Sequence, residues 1–177
     1  MMPIERYKIV IVGDGGVGKT TFINHHLNCR FSDLNCRFSD LNCRFSAKYI
    51  PTLGVDVHPI YFDTNYGEII FDVWDTAGQK KFGGLGDGYY IQARGAIVMF
   101  DTTAKVTLRN VKKWTNDVKN KTGEIPISIY GTKCDIPNRV CGENYNLISV
   151  KTNINLNMPF LNLARQLTGH EDLVFLN

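Results

Sequence analysis

Paired C-x-x-C motifs, an apolar run long enough to span a bilayer and a strong charge of one sign are all missing from this sequence. Its five cysteines include no C-x-x-C and are too few and too scattered in 177 residues for a disulfide framework. That usage points to a reducing compartment. The opening Met1-Met2-Pro3-Ile4-Glu5-Arg6 does not read as a signal peptide, and the apolar run after it is too short to span a bilayer. Met2 stands where a myristoylation signal needs glycine, and Leu173-Val174-Phe175-Leu176-Asn177 offers no cysteine for prenylation. The formal net charge of +3 is too mild to draw the chain to nucleic acid or to an anionic membrane. These absences lead us to expect a soluble monomer with no membrane anchor and no nucleic-acid partner. The length suits a single α/β domain with a sizeable core over residues 1–177.

Against that background stands Gly13-Asp14-Gly15-Gly16-Val17-Gly18-Lys19-Thr20, which fits G-x-x-x-x-G-K-[ST]. It follows Tyr7-Lys8-Ile9-Val10-Ile11-Val12, a β-branched run that reads as a buried strand. Glycines in such a loop let backbone N–H groups turn inward around a polyphosphate. A helix starting near Lys19 points its positive end at the same anion. Lys19 can reach the β- and γ-phosphates, and the Thr20 hydroxyl is placed to ligate Mg²⁺.

Next comes a repeat of period seven. Asn28 to Leu34 recurs word for word as Asn35 to Leu41, and a partial copy runs from Asn42 to Ser46, so the domain carries an insertion at about residues 28–46. Leu27, Phe31, Leu34, Phe38, Leu41 and Phe45 would form one apolar stripe on a helix. The stripe reads either as a partner-binding face or as a tandem duplication that the fold tolerates. Fourteen extra helical residues would extend the chain by about 21 Å, yet the next segment must return to the metal, so the insert is expected to fold back on itself or stay mobile. His25 and His26 beside Cys29 hint at metal ligands, but the repeated cysteines lack a closing set.

Strands are expected near Val55 to Phe62 and Glu68 to Trp74, joined as an antiparallel hairpin by Thr64-Asn65-Tyr66-Gly67. Asp75 follows the second strand, where an acidic residue can hold Mg²⁺ through water or simply cap a helix. Gly95 to Asp101 reads as a buried strand, and the helix after it places Leu108, Val111, Thr115 and Val118 on one face. Its Arg109, Lys112, Lys113, Lys119 and Lys121 suit either an acidic partner or plain solvation, and Trp114 reads as core packing. Ile125 to Tyr130 reads as a further strand, and a last helix from about Asn157 to Leu167 has Gly169 placed to end it.

The phosphate loop, Thr52 and Asp75-Thr76-Ala77-Gly78-Gln79 together resemble a small GTPase of the Ras superfamily. Leu53-Gly54-Val55-Asp56-Val57-His58-Pro59, Lys81-Phe82-Gly83-Gly84-Leu85 and Asp87-Gly88-Tyr89-Tyr90-Ile91-Gln92-Ala93 are similar to its Ran branch, the nuclear-transport GTPases. The resemblance runs from about Tyr7 to Phe175. It implies a P-loop NTPase fold, with a six-stranded, mostly parallel sheet, helices on both faces and the nucleotide at the strands' C-terminal edge. It implies GTP or GDP with Mg²⁺ as ligands. Asp14, Gly15, Gly16, Val17, Gly18, Lys19, Thr20 and Thr21 would surround the phosphates. Thr20 and Thr52 would ligate the metal, with Asp75 acting through water. The Thr52 and Gly78 N–H groups would sense the γ-phosphate, and Gln79 would orient the attacking water. Gly15 keeps the space beside Gln79 open. Phe45 would pack beside the guanine, with Phe31 and Phe38 as rival copies, and Tyr49 either closes over the water or lies on the surface.

Gly131-Thr132-Lys133-Cys134-Asp135 resembles the family's base-reading motif, in which the Asp135 carboxylate accepts guanine N1–H and the exocyclic amine. Adenine presents the wrong pattern there. The Lys133 stem would lie along the base, and Thr132 stands where Asn is more usual, as in Rho-type GTPases. Ser149-Val150-Lys151 resembles the last nucleotide motif, with the Val150 N–H meeting guanine O6. Nuclear transport receptors, an exchange factor and an activating protein follow as partners, with the nucleus and cytoplasm as location. Departures from the Ran pattern bear on those partners. Lys80 replaces Glu, Gly86 replaces Arg, the segment between Asp135 and Ser149 is short, and the sequence reaches Asn177 without an acidic tail. A slow, Mg²⁺-dependent GTPase switch is expected, with a non-hydrolysing decoy for transport factors as the alternative. An ATP-using P-loop kinase is disfavoured by the base-reading motif.

Overall fold

The computed structural model describes residues 4–31, 52, 54–77, 88–141 and 144–176. Its strands are β1 (Ile4–Val12), β2 (Val55–Thr64), β3 (Gly67–Thr76), β4 (Gly95–Asp101), β5 (Ile127–Thr132) and β6 (Asn146–Leu147). They form one six-stranded sheet in the order β2-β3-β1-β4-β5-β6. Only the β2–β3 hairpin is antiparallel; every other neighbouring pair is parallel. The chain crosses from β3 on one side of β1 to β4 on the other. This is a topological switch point, where the loops leaving adjacent strands part and open a crevice at their C-terminal ends. The loop after β1, Asp75 near the end of β3, Asp101 closing β4 and Thr132 closing β5 all meet at that edge.

Alternation along β1 builds two cores. Ile9 and Ile11 pack with Phe22 and Ile23 of α1 (Lys19–Phe31) and with Phe160, Leu163 and Ala164 of α3 (Met158–Thr168). Val10 and Val12 pack on the other face with Val111, Trp114 and Val118 of α2 (Lys105–Thr122) and with Tyr90 of the short 3₁₀ turn Gly88–Tyr90. A sheet buried on both faces needs such near-continuous apolar strands, and all seven residues of β4 are buried. Helices therefore cover both faces, as the resemblance implied. Among the described residues, no helix is long and apolar enough to cross a membrane.

Several boundaries differ from the sequence reading. β1 starts at Ile4 rather than Tyr7 because Ile4, Glu5 and Arg6 pair with Glu68, Ile69 and Ile70. Arg6 also grips Asp72 with two hydrogen bonds, of 2.6 and 2.8 Å. The hairpin is longer than read, because pairing continues to Thr64 opposite Gly67 across a turn of only Asn65 and Tyr66. The Thr64 hydroxyl locks that turn, donating to the Gly67 carbonyl at 2.7 Å and accepting the Tyr66 N–H at 3.0 Å. On α2 the buried side chains are Thr107, Val111, Trp114 and Val118, with Leu108 only partly buried. Thr107 sets that rotation by accepting the Asp101 N–H at 3.0 Å. Arg109, Lys112, Lys113, Lys119 and Lys121 are exposed. α3 ends as expected at Gly169, whose φ of 76° brings its N–H onto the Arg165 carbonyl at 2.9 Å. Beyond Phe31, the heptad insertion lies outside the described residues.

His26 belongs to the core rather than to a metal centre. It lies among the rings of Phe22, Phe62 and Phe160, and its Nδ1 is 3.0 Å from the Phe22 carbonyl. The described residues contain no group of three or more His, Cys, Asp or Glu able to hold a metal ion. Burial pushes the imidazole pKa from 6.5 down to about 4. Between those values the unfolded chain binds the proton and the folded chain does not. Stability from this group is therefore complete above pH 6.5 and falls as pH drops towards 4, by roughly 3 kcal/mol. Urea midpoints at pH 7 and pH 4 check this: His26→Phe should lose markedly less stability on acidification than the parent. An equal loss in both proteins would show that His26 does not carry the effect.

Candidate functional site

The loop from Gly13 to Gly18 leaves β1 and feeds directly into α1, so the first-turn N–H groups of that helix face the crevice. Glycine is required at position 13, where an added Cβ would collide with the Met99 carbonyl of β4. Gly16 adopts φ 79°, which L side chains rarely tolerate. Lys19 turns back over the loop, donating to the Gly13 carbonyl at 2.9 Å and the Asp14 carbonyl at 3.0 Å. Its burial pushes the ammonium pKa down to about 8, against the nearby charges of Asp75 and Asp14. Val17 is buried beneath the loop, Thr21 lies in the first turn of α1, and Gly15 is exposed.

Thr20, Thr52 and Asp75 come together although they are far apart in sequence. The Thr20 hydroxyl donates to Asp75 Oδ2 at 2.5 Å and lies 2.8 Å from the Thr52 hydroxyl. Thr20 has one proton and gives it to Asp75, so Thr52 is the donor in the second bond. Burial raises the Asp75 carboxyl pKa, opposed by Thr20 and by Lys19. Asp75 Oδ1 is buried without a hydrogen-bond partner among the described residues. An unpaired buried carboxylate oxygen beside two hydroxyls is an all-oxygen donor set that suits a hard divalent cation such as Mg²⁺.

At the other end, Asp135 lies just beyond β5 and accepts the Ser149 hydroxyl on Oδ1 at 2.6 Å. It also lines a cavity of about 640 Å³ together with Cys134, Arg139, Cys141 and Leu147. Lys133 has φ 60° and sends its ammonium to the Gly16 carbonyl at 3.0 Å and to Asp101 Oδ2 at 2.6 Å. Burial alone would raise the Asp101 carboxyl pKa, but Lys133 and Thr103 more than reverse this and leave it below its ordinary value. The buried Thr132 hydroxyl lies 2.6 Å from the Val17 carbonyl and 3.0 Å from that of Phe100. Thr132 and Lys133 therefore both fasten the base-side loop to the phosphate-side loop. Val150 is half-buried and Lys151 exposed beyond Ser149.

A family model described as the Ras family matches residues 8–169. The chain belongs to the Ras family. Its α/β architecture is that of a P-loop small GTPase. Ras-family proteins bind GTP or GDP with Mg²⁺ and generally hydrolyse GTP. Measured against the residues expected for a Ras-family site, the phosphate loop, Thr20, Thr52 and Asp75 converge at one end of the crevice, and Thr132, Lys133, Asp135 and Ser149 at the other. Phe45, Tyr49, Gly78 and Gln79 lie outside the described residues. Sequence reasoning missed three partners: Asp101 for Lys133, and Asn110 and Trp114 for Asp14. The i, i+4 spacing of Asn110 and Trp114 places two N–H donors on one helix face, but nothing in the sequence names Asp14 as what they meet.

Proposed function

We propose that this protein is a Mg²⁺-dependent, guanine-specific switch that hydrolyses GTP. The observation that carries the reading is the double tie between the two ends of the site, with Thr132 on Val17 and Lys133 on Gly16. These bonds tie the segment that leads to Asp135 to the phosphate loop, which supports recognition of a whole nucleoside phosphate. Thr20 and Thr52 would hold Mg²⁺ directly and Asp75 through water; the ion, when bound, neutralises charge on the β- and γ-phosphates. Lys19 contributes a second positive charge there. Thr52 and Gly78 respond to the γ-phosphate, so its loss releases both loops. Gln79 orients the attacking water. Unaided turnover is slow, and an activating protein accelerates it on the order of 10³ to 10⁵.

Two measurements test this core reading. Fluorescent GDP in Mg²⁺ should be displaced by GTP and GDP but not by ATP, and displacement by ATP would defeat the guanine specificity. Single-turnover phosphate release should then fall roughly tenfold or more in Gln79→Leu. Release that is unchanged by that substitution removes Gln79 from the reaction.

Within the Ras family, the segments Leu53 to Pro59, Lys81 to Leu85 and Asp87 to Ala93 support a Ran-type assignment. On that reading the protein works in nucleocytoplasmic transport, in nucleus and cytoplasm, with transport receptors, an exchange factor and an activating protein as partners. Receptors captured by the GTP-loaded form and not by the GDP-loaded form would support it; capture by neither would defeat it. Lys80 and Gly86, which stand where the Ran pattern has Glu and Arg, bear on those partners, and the second reading is a decoy that occupies transport factors and binds GTP without hydrolysing it. Binding without any single-turnover phosphate release would select the decoy.

A further inference from the structure

The phosphate loop carries an acidic side chain beside the place where it must receive an anion. The Asp14 carboxylate is turned onto α2: Asn110 Nδ2 donates to Oδ2 at 2.7 Å, and Trp114 Nε1 donates to Oδ1 at 2.8 Å. The two donors are one helical turn apart, and Trp114 is buried in the core beneath them. Meanwhile the Asp14 carbonyl accepts the Lys19 ammonium at 3.0 Å. One residue is thus held from two sides, its side chain by a helix nearly a hundred positions away and its main chain by the phosphate lysine.

We propose that Asn110 and Trp114 are positioning residues that latch Asp14 to α2, keep its negative charge off the bound phosphates and hold the loop ready for the nucleotide. The proposal rests on the guanine-nucleotide reading above. Neutral donors suit this task. They stabilise a carboxylate by charge-assisted bonds without adding a cation that would compete with Lys19 for the phosphates. A loop already held in its binding shape also loses less freedom when the ligand arrives. Phe at position 114 keeps an aromatic ring in the core but removes the indole N–H, and comparison with an Asp14→Ala background separates the latch from the lost packing.

The test compares release of fluorescent GDP and GTP from the Mg²⁺-loaded full chain. Trp114→Phe should release nucleotide about tenfold faster, and Asn110→Ala should act in the same direction. In an Asp14→Ala background the Trp114→Phe effect should vanish, because there is no carboxylate left to restrain. Release at the parental rate, or equal acceleration in both backgrounds, overturns the latch. A second readout needs no nucleotide: Asp14→Ala should shift the Trp114 indole proton resonance and speed its exchange with solvent, while Trp74 serves as internal control. An unmoved Trp114 indole signal also overturns the latch. A parent chain that retains no guanine nucleotide defeats the functional reading instead, and the indole measurement still decides the latch.

Discussion

Asp135→Asn is expected to weaken guanine nucleotides by about a hundred- to a thousandfold and to shift preference towards xanthine nucleotides. Guanine offers two donors, N1–H and the exocyclic amine, and a carboxylate answers both with charge-assisted bonds. In this chain the carboxylate is already oriented, because the Ser149 hydroxyl occupies one side of Oδ1 at 2.6 Å. An asparagine would keep that bond through its amide oxygen, which leaves its NH₂ group towards the base. Donor would then face donor, and the site would have exchanged two strong bonds for a repulsion. Xanthine carries a carbonyl where guanine has the amine, so it recovers one of them. Competition of GDP and xanthosine diphosphate against a fluorescent guanine nucleotide reads the ratio directly. A variant that still prefers GDP by its original margin would mean that Asp135 does not read the base.

What could be seen in the sequence was what is local. The phosphate loop is one contiguous run between an apolar strand and a helix start, so its geometry follows from neighbours in the chain. Gly169 ends α3 through a hydrogen bond only four residues long, and was equally visible. The edges and ties were not, because they depend on distant pairing. β1 begins at Ile4 only because β3 supplies partners more than sixty residues later. Trp114 was assigned to the core correctly, but its N–H reaches a carboxylate a hundred positions back, and no periodicity encodes that. Asp101 looked like the last residue of a strand and proves to be the counter-charge of Lys133. Thr132, which stands where Asn is more usual, makes a tether to the phosphate loop through its hydroxyl. Such ties are side-chain bonds across the sheet edge, set by topology rather than by spacing.

Lys19→Met should separate binding from stability in opposite directions. The Lys19 side chain is only 6 % exposed, and its burial costs enough to bring the ammonium pKa down to about 8. Taking such a charge out of water typically costs several kcal/mol, and two carbonyl acceptors with partly offset carboxylates recover only part of it. Methionine has similar length and no charge, so it fills the same space without that penalty. It leaves the Gly13 and Asp14 carbonyls without the Lys19 donor, a loss of about 1 kcal/mol each. The desolvation gain is the larger quantity, and the nucleotide-free variant should be more stable by on the order of 1–2 kcal/mol, visible as a higher urea midpoint. Nucleotide affinity should move the other way, falling at least about a hundredfold, and more for GTP than for GDP because Lys19 reaches the γ-phosphate as well as the β. A variant that binds both nucleotides within about threefold of the parent would remove Lys19 from the phosphate site. One that is less stable would show that the bonds to Gly13 and Asp14 outweigh desolvation and that Lys19 is a structural brace. With both shifts as expected, burying an ammonium held by two carbonyls is the cost the empty fold carries so that no reorganisation remains when the phosphates arrive.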